Sequence, residues 1–167
     1  QVAVFDTAFH ATMPKHAYLY AIPYELYQRH RIRRYGFHGT SHNYIALRVA
    51  KLMNRDLADL KIISCHLGNG ASLAAIDGGK SVDTTMGFTP LEGLMMGTRS
   101  GDIDPSVLEF IADKEDVPLK NMINMLNKHS GLYGIAGVSD MRDIIQGVEE
   151  QKPMHTLAYA MNEYRIR

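Results

Sequence analysis

The 167-residue chain is 46% hydrophobic, with eighteen basic side chains balancing eighteen acidic ones, so it can bury a core and carries no net field to attract nucleic acid or an anionic membrane. Its single cysteine, Cys65, rules out an internal disulfide, a usage that a reducing compartment permits. No apolar run reaches the roughly 20 residues that span a bilayer, and the first residues, QVAVFDTAFH, lack an initiator Met and a basic leader; the expectation is a cytoplasmic protein whose N-terminus has been cut away.

Val2 to Phe5 is a short apolar run expected as a strand that delivers Asp6 to a loop. Ser41 to Asn54 offers a capping serine and then Ile45, Val49, Leu52 and Met53 on one face, the pattern of an amphipathic helix. The strongest β signal follows in three runs, Lys61 to Leu67, Ala71 to Ile76 and Lys80 to Met86. Asn69-Gly70 and Asp77-Gly78-Gly79 separate them, so the spacing predicts an antiparallel meander. Asp104-Pro105 opens a helix to about Ala112, Pro118 begins another, a third follows Ser139, and Thr156 to Arg167 has helical spacing without a stop signal. Composition is even throughout, and nothing marks an internal domain boundary. Strands followed by helices, without regular alternation, predict an α/β domain with a mixed sheet.

Three loops could carry chemistry. In Tyr35-Gly36-Phe37-His38-Gly39-Thr40-Ser41-His42, glycines flank a histidine before a helix start. The ring could reach a ligand, or it could merely bond a neighbour; metal binding by His38 and His42 is a third reading, weakened by the lack of a His-Glu-x-x-His pattern or a cysteine pair. The second, Cys65 to Ser72, is a glycine-containing turn whose N–H groups could hold phosphate oxygens, although most Asn-Gly turns bind nothing. The third, Gly97 to Pro105, centres the guanidinium of Arg99 among small residues, which suits a phosphoryl group or carboxylate as well as it suits an exposed loop capping the next helix. Together with Asp6 these loops fit phosphoryl transfer, a reaction in which positioning and charge stabilisation supply most of the rate. There is no Walker-type Gly-Lys loop and no Gly-x-Ser-x-Gly elbow.

The stretches VFDTAFHATMP, RRYGFHGTSH, SCHLGNGAS and TPLEGLMMGTRSGDIDP closely resemble signature segments of the acetokinase family, in that family's order, over residues 1 to about 145. The resemblance implies the acetate and sugar kinase, Hsp70 and actin superfamily: an α/β, RNase H-like (actin-like ATPase) fold with a mixed sheet, incomplete at both ends. The 167 residues would be a single segment running from the interdomain junction through much of the C-terminal nucleotide-binding domain, with the N-terminal domain absent. The implied activity is reversible, direct in-line transfer of the γ-phosphoryl of ATP to the carboxylate of acetate, with Mg2+, giving acetyl phosphate and ADP in a homodimeric enzyme. By the same resemblance Asp6, His38 and Arg99 are catalytic, His38 and Arg99 on the phosphoryl group and Asp6 orienting magnesium, through water, or the acceptor. His66, Leu67, Gly68, Asn69 and Gly70 would lie near the ATP phosphates, Asp140, Met141 and Arg142 would line the adenosine site, and Phe37 and Pro90 would wall the acetate-methyl pocket. No residue of the chain is expected as a direct metal ligand. The alternatives are a propionate or other short-chain acid kinase, and a nucleotide-binding domain inactive without its partner domain.

Overall fold

In the computed structural model, which describes residues 1–167, the three β runs become strands β1 (Lys61–Leu67), β2 (Ala71–Asp77) and β3 (Lys80–Thr84) of one sheet in the order β1-β2-β3. The connection between β1 and β2, residues 68–70, is too short for a parallel crossover, which makes that pair antiparallel. Strands β2 and β3 are antiparallel as well, joined through Gly78 and Gly79 at φ +55° and +78°, a two-residue turn that only glycine fills without strain. The three strands present are thus antiparallel; a mixed sheet needs a further, parallel one. Ala75 pairs with Asp83 and Ile76 with Ser81, so Val82 is an unopposed bulge residue. The bulge lets Ser81 and Thr84, of opposite parity along the strand, both be buried.

Helices α1 (Lys15–Tyr18), α2 (Tyr24–His30) and α3 (Gly39–Met53) precede the sheet, and α4 (Pro105–Glu115), α5 (Leu119–Lys128), α6 (Gly131–Ala136), α7 (Met141–Glu149) and α8 (Pro153–Ile166) follow it. The chain divides into two compact units, residues 1–67 with 72–92 and residues 68–71 with 93–167. In the first, Ala46 of α3 meets Ala74 and Ile76 of β2, with Phe9, Leu57 and Ile62 around them. In the second, Met95, Leu132, Ile144 and Ala158 form the core. None of the helices is long and apolar enough to cross a membrane.

Two sequence expectations need correction. Val2 to Phe5 is not a strand: it belongs to no sheet, and Val2, Val4 and Phe5 are 90%, 74% and 72% exposed. An apolar run without a hydrogen-bonding neighbour gains nothing by extending. Helix α3 starts at Gly39, not after a capping Ser41, because Asp6 supplies the acceptors that a local cap would otherwise provide.

Helix α4 has the cap that its sequence promised. The Ser106 N–H donates to Asp104 Oδ1 at 2.9 Å, and Pro105 opens the first turn. Since α4 has no fully buried residue, its first turn depends on this cap. Asp104→Ala should weaken α4 by about 1 kcal/mol, read as faster amide exchange in its first two turns. Unchanged exchange would show the cap to be idle.

Candidate active site

Asp6 and His38 are joined by the backbone. Asp6 Oδ2 accepts the His38 N–H at 2.7 Å, and the Asp6 carbonyl accepts the Gly39 N–H at 2.8 Å. At the head of α3 the His38 N–H thereby meets an anionic side chain, where the helix dipole favours negative charge, and the Gly39 N–H meets a carbonyl. His38 adopts a left-handed conformation, φ +58°, unusual for a residue with a side chain, and the clamp from Asp6 holds it there. Two residues earlier, Gly36 has φ +74°, and a Cβ there would lie 2.6 Å from Thr84 Cγ2 and 2.7 Å from the His10 ring. No other residue fits.

Behind His38 lies a group of imidazoles and serines. The His38 ring stacks on His66, centroids 3.9 Å apart. Its Nδ1 is 2.9 Å from Ser72 Oγ, which is also 2.9 Å from His42 Nε2, and His42 Nδ1 is 2.9 Å from Ser64 Oγ. His66 Nδ1 meets Ser41 Oγ at 2.9 Å. His10 Nε2 donates to the Phe37 carbonyl at 2.8 Å, so its Nδ1, in the neutral ring, accepts from Ser81 Oγ at 2.8 Å. His10 and His42 are fully buried. Burial is the main cause that pushes the His42 pKa down to about 4, with the fields of His10, His38 and His66 adding to it; burial also lowers that of His10. The metal-binding alternative gains no support, since both His42 nitrogens face hydroxyls and no group of three His, Cys, Asp or Glu side chains is arranged to hold an ion.

The segments carrying Phe37 and Pro90 are tied together. The Gly87 carbonyl accepts the Tyr35 and Gly36 N–H groups at 3.0 and 3.2 Å. Arg34 Nη1 donates to the carbonyls of Thr84, Thr85 and Met86 at 3.0, 3.1 and 3.3 Å, while its Nη2 pairs with Glu92 Oε1 at 2.6 Å. Tyr20 completes the brace: its hydroxyl donates to Glu92 Oε2 and accepts the Phe88 N–H. Burial, and then the bond to Glu92, push the Tyr20 pKa up to about 12, so it remains a donor at any ordinary pH.

Of the remaining residues named from the sequence, all but Leu67 lie in the second unit. At the β1-β2 turn the Asn69 carbonyl accepts the Gly97 N–H at 3.0 Å, which ties the predicted phosphate turn to the loop bearing Arg99. That loop is pinned at several points: Ser100 N–H to the Leu126 carbonyl, Ser130 N–H to the Thr98 carbonyl, each at 3.0 Å, and Thr98 Oγ1 to the Asn127 carbonyl at 3.1 Å. The backbone around Arg99 is therefore fixed, and its Nη1 lies 3.8 Å from Met96 Sδ. Asp140 caps α7 and pairs with Arg142 at 2.5 Å; its hydrogen bonds to Arg142 hold the carboxyl down to about 2. Met141, between them, packs on the core of this unit. A cavity of about 270 Å³ beside Met95, Met125, His129 and Ser130 takes none of its walls from the predicted residues.

Sequence reading named Asp6, Phe37, His38, His66, Leu67 and Pro90, which belong to the first unit, and Gly68, Asn69, Gly70, Arg99, Asp140, Met141 and Arg142, which belong to the second. It missed Ser64, Ser72 and Ser81. The available signal was polar residues at inward-facing positions of strands, a local rule broken where function commonly requires it.

The fold is the α/β, RNase H-like type of the actin-like ATPases, as its structural relatives make plain. Porphyromonas gingivalis acetate kinase superposes with a TM-score of 0.94 at 49% identity, over 98% of this chain and 41% of that one. A propionate kinase from Francisella tularensis gives 0.94 at 50% identity, over 98% and 42%. The chain belongs to the acetokinase family, which it matches over residues 1–167. It is 61% identical over 168 residues to the acetate kinase of Halothermothrix orenii, covering 100% of this chain and 42% of that protein. The chain thus spans about two-fifths of the length of the curated relatives it matches.

Proposed function

We propose that the protein carrying this chain is a cytoplasmic, homodimeric phosphotransferase that moves the γ-phosphoryl of ATP to the carboxylate of acetate, reversibly, by direct in-line transfer. The observation that carries this reading is the clamp of Asp6 on the backbone of His38 at the head of α3, in a chain of the acetokinase family. His38 donates a hydrogen bond to the phosphoryl oxygens, and Arg99 offers its planar guanidinium to the same charge as it spreads in the transition state. Phe37 and Pro90 exclude water around the acetate methyl. Residues 66–70 contact the ATP phosphates, and residues 140–142 the adenosine. The exposed carboxylate of Asp6 would hold a magnesium ion through its water shell, and the ion would supply positive charge against the phosphates.

A propionate kinase is the second reading, favoured by the likeness to the Francisella tularensis enzyme. One methylene in an apolar pocket is worth only about 1 to 3 kcal/mol, so kcat/KM for the two acids decides between them. The test is a coupled assay of the complete protein with ATP, magnesium and either acid. Transfer to acetate should exceed transfer to propionate, and His38→Ala should slow it roughly tenfold or more without releasing a metal. No transfer to either acid, or stoichiometric zinc lost from both His38 and His42 variants, would overturn the reading.

A further inference from the structure

Ser72 stands between two imidazoles, 2.9 Å from His38 Nδ1 and 2.9 Å from His42 Nε2. Ser72 and His42 are fully buried, and Ser64, at the far end, is 3% exposed, so bulk water cannot stand in for a missing partner. A hydroxyl has one proton. Ser72 can donate to only one of its two imidazoles and must accept from the other. Neutral His42 likewise has one N–H for two serines, so with the Ser72 proton kept within the row all of its hydrogen bonds run in a single direction.

Two directions are open, and they leave His38 in different states. If Ser64 donates to His42 Nδ1, then His42 Nε2–H donates to Ser72 and Ser72 donates to His38 Nδ1. Neutral His38 then carries its proton on Nε2. In the opposite direction His38 Nδ1–H donates to Ser72, and a proton on Nε2 would make the ring a cation. That cation would sit 3.9 Å from the stacked His66 ring and 6.4 Å from the fully buried His42. Only the first direction leaves neutral His38 with its donor on Nε2 and adds no charge to this group.

We propose that the buried row Ser64–His42–Ser72 holds His38 in its neutral, Nε2-protonated form and fixes its ring, so that it meets the phosphoryl group as an uncharged hydrogen-bond donor. Ser72 and His42 are positioning residues acting through His38; the final clause rests on the phosphotransfer reading above. Backbone and row act on His38 from two sides, Asp6 on its N–H and Ser72 on its Nδ1.

The experiment is ring-15N NMR of the complete protein labelled at histidine, without nucleotide, with His38 assigned by its loss in His38→Gln. The wild-type His38 ring should show a proton on Nε2 alone. In Ser72→Ala it should become a mixture of tautomers, and turnover should fall roughly ten- to a hundredfold while the KM for ATP stays within about twofold. A wild-type His38 protonated at Nδ1, or at both nitrogens, would overturn the proposal whether or not Ser72→Ala folds. So would an unmixed Nε2-protonated ring in Ser72→Ala. Full turnover in His38→Gln would instead overturn the phosphotransfer role of His38, while the spectrum still decides the state of its ring.

Discussion

Replacing Arg99 by alanine in the complete protein should lower turnover by roughly a hundredfold or more, about 2.7 kcal/mol of barrier, with little change in the KM for ATP. The split follows from where Arg99 sits. Its loop is held by backbone bonds to Leu126 and Ser130 and, through Gly97, to the Asn69 turn, so the guanidinium is carried on a fixed frame. A donor that needs no rearrangement interacts most with charge that appears only in the transition state. Arg99→Lys should recover only part of the loss, since a point charge cannot reproduce the planar fork. Unchanged turnover with a raised KM would mean that Arg99 serves ground-state binding instead.

The second large effect is on stability. His42 has its pKa pushed from the ordinary 6.5 to about 4 in the folded chain, chiefly by burial. As pH falls from above 6.5, the unfolded chain takes up the proton first and the folded chain resists it. Unfolding therefore binds protons, and stability is lost on acidification through this window, in full only below about pH 4. The drop from 6.5 to about 4 corresponds to about 3 kcal/mol, and His10, lowered by the same cause, acts in the same direction. Urea unfolding of the complete protein at pH 7 and near pH 4 should show a loss of this order. Because carboxylates also titrate there, the deciding measurement is the ring titration of His42 itself. A midpoint of 6 or above would refute the assignment.

The meander and the longer helices were legible because their signals are local. Asp77-Gly78-Gly79 fixes a turn, Asp104-Pro105 fixes a helix start, and α5 and α7 bury one side each, at Met122 and Leu126 and at Ile144 and Gly147. Helices α1, α2 and α6 have four, seven and six residues, too few for a period to stand out. The start of α3 was misread for a different reason: its acceptors come from Asp6, thirty-two positions away from His38. The same holds for the site. His38 and Arg99 could be named from glycine-framed loops and family resemblance, whereas Ser72 and Ser64 acquire meaning only when β1, β2 and α3 bring them to His42. The brace of Arg34 on Glu92 spans fifty-eight positions and leaves no local mark.

That brace also constrains how the stretch from Thr84 to Glu92 can vary. One guanidinium grips three successive carbonyls, Thr84, Thr85 and Met86, while Gly87 is tied to Tyr35 and Gly36 and Glu92 closes the far end. Such a stretch tolerates exchange of an outward side chain but not a change in length. An insertion or deletion between Thr84 and Glu92 would throw the carbonyls out of step with the guanidinium and leave a charged group and several buried acceptors unmatched. On the phosphotransfer reading proposed above, a preference for a longer acid would then be set by side chains at positions such as Phe37 and Pro90, with the length of the 84–92 stretch kept.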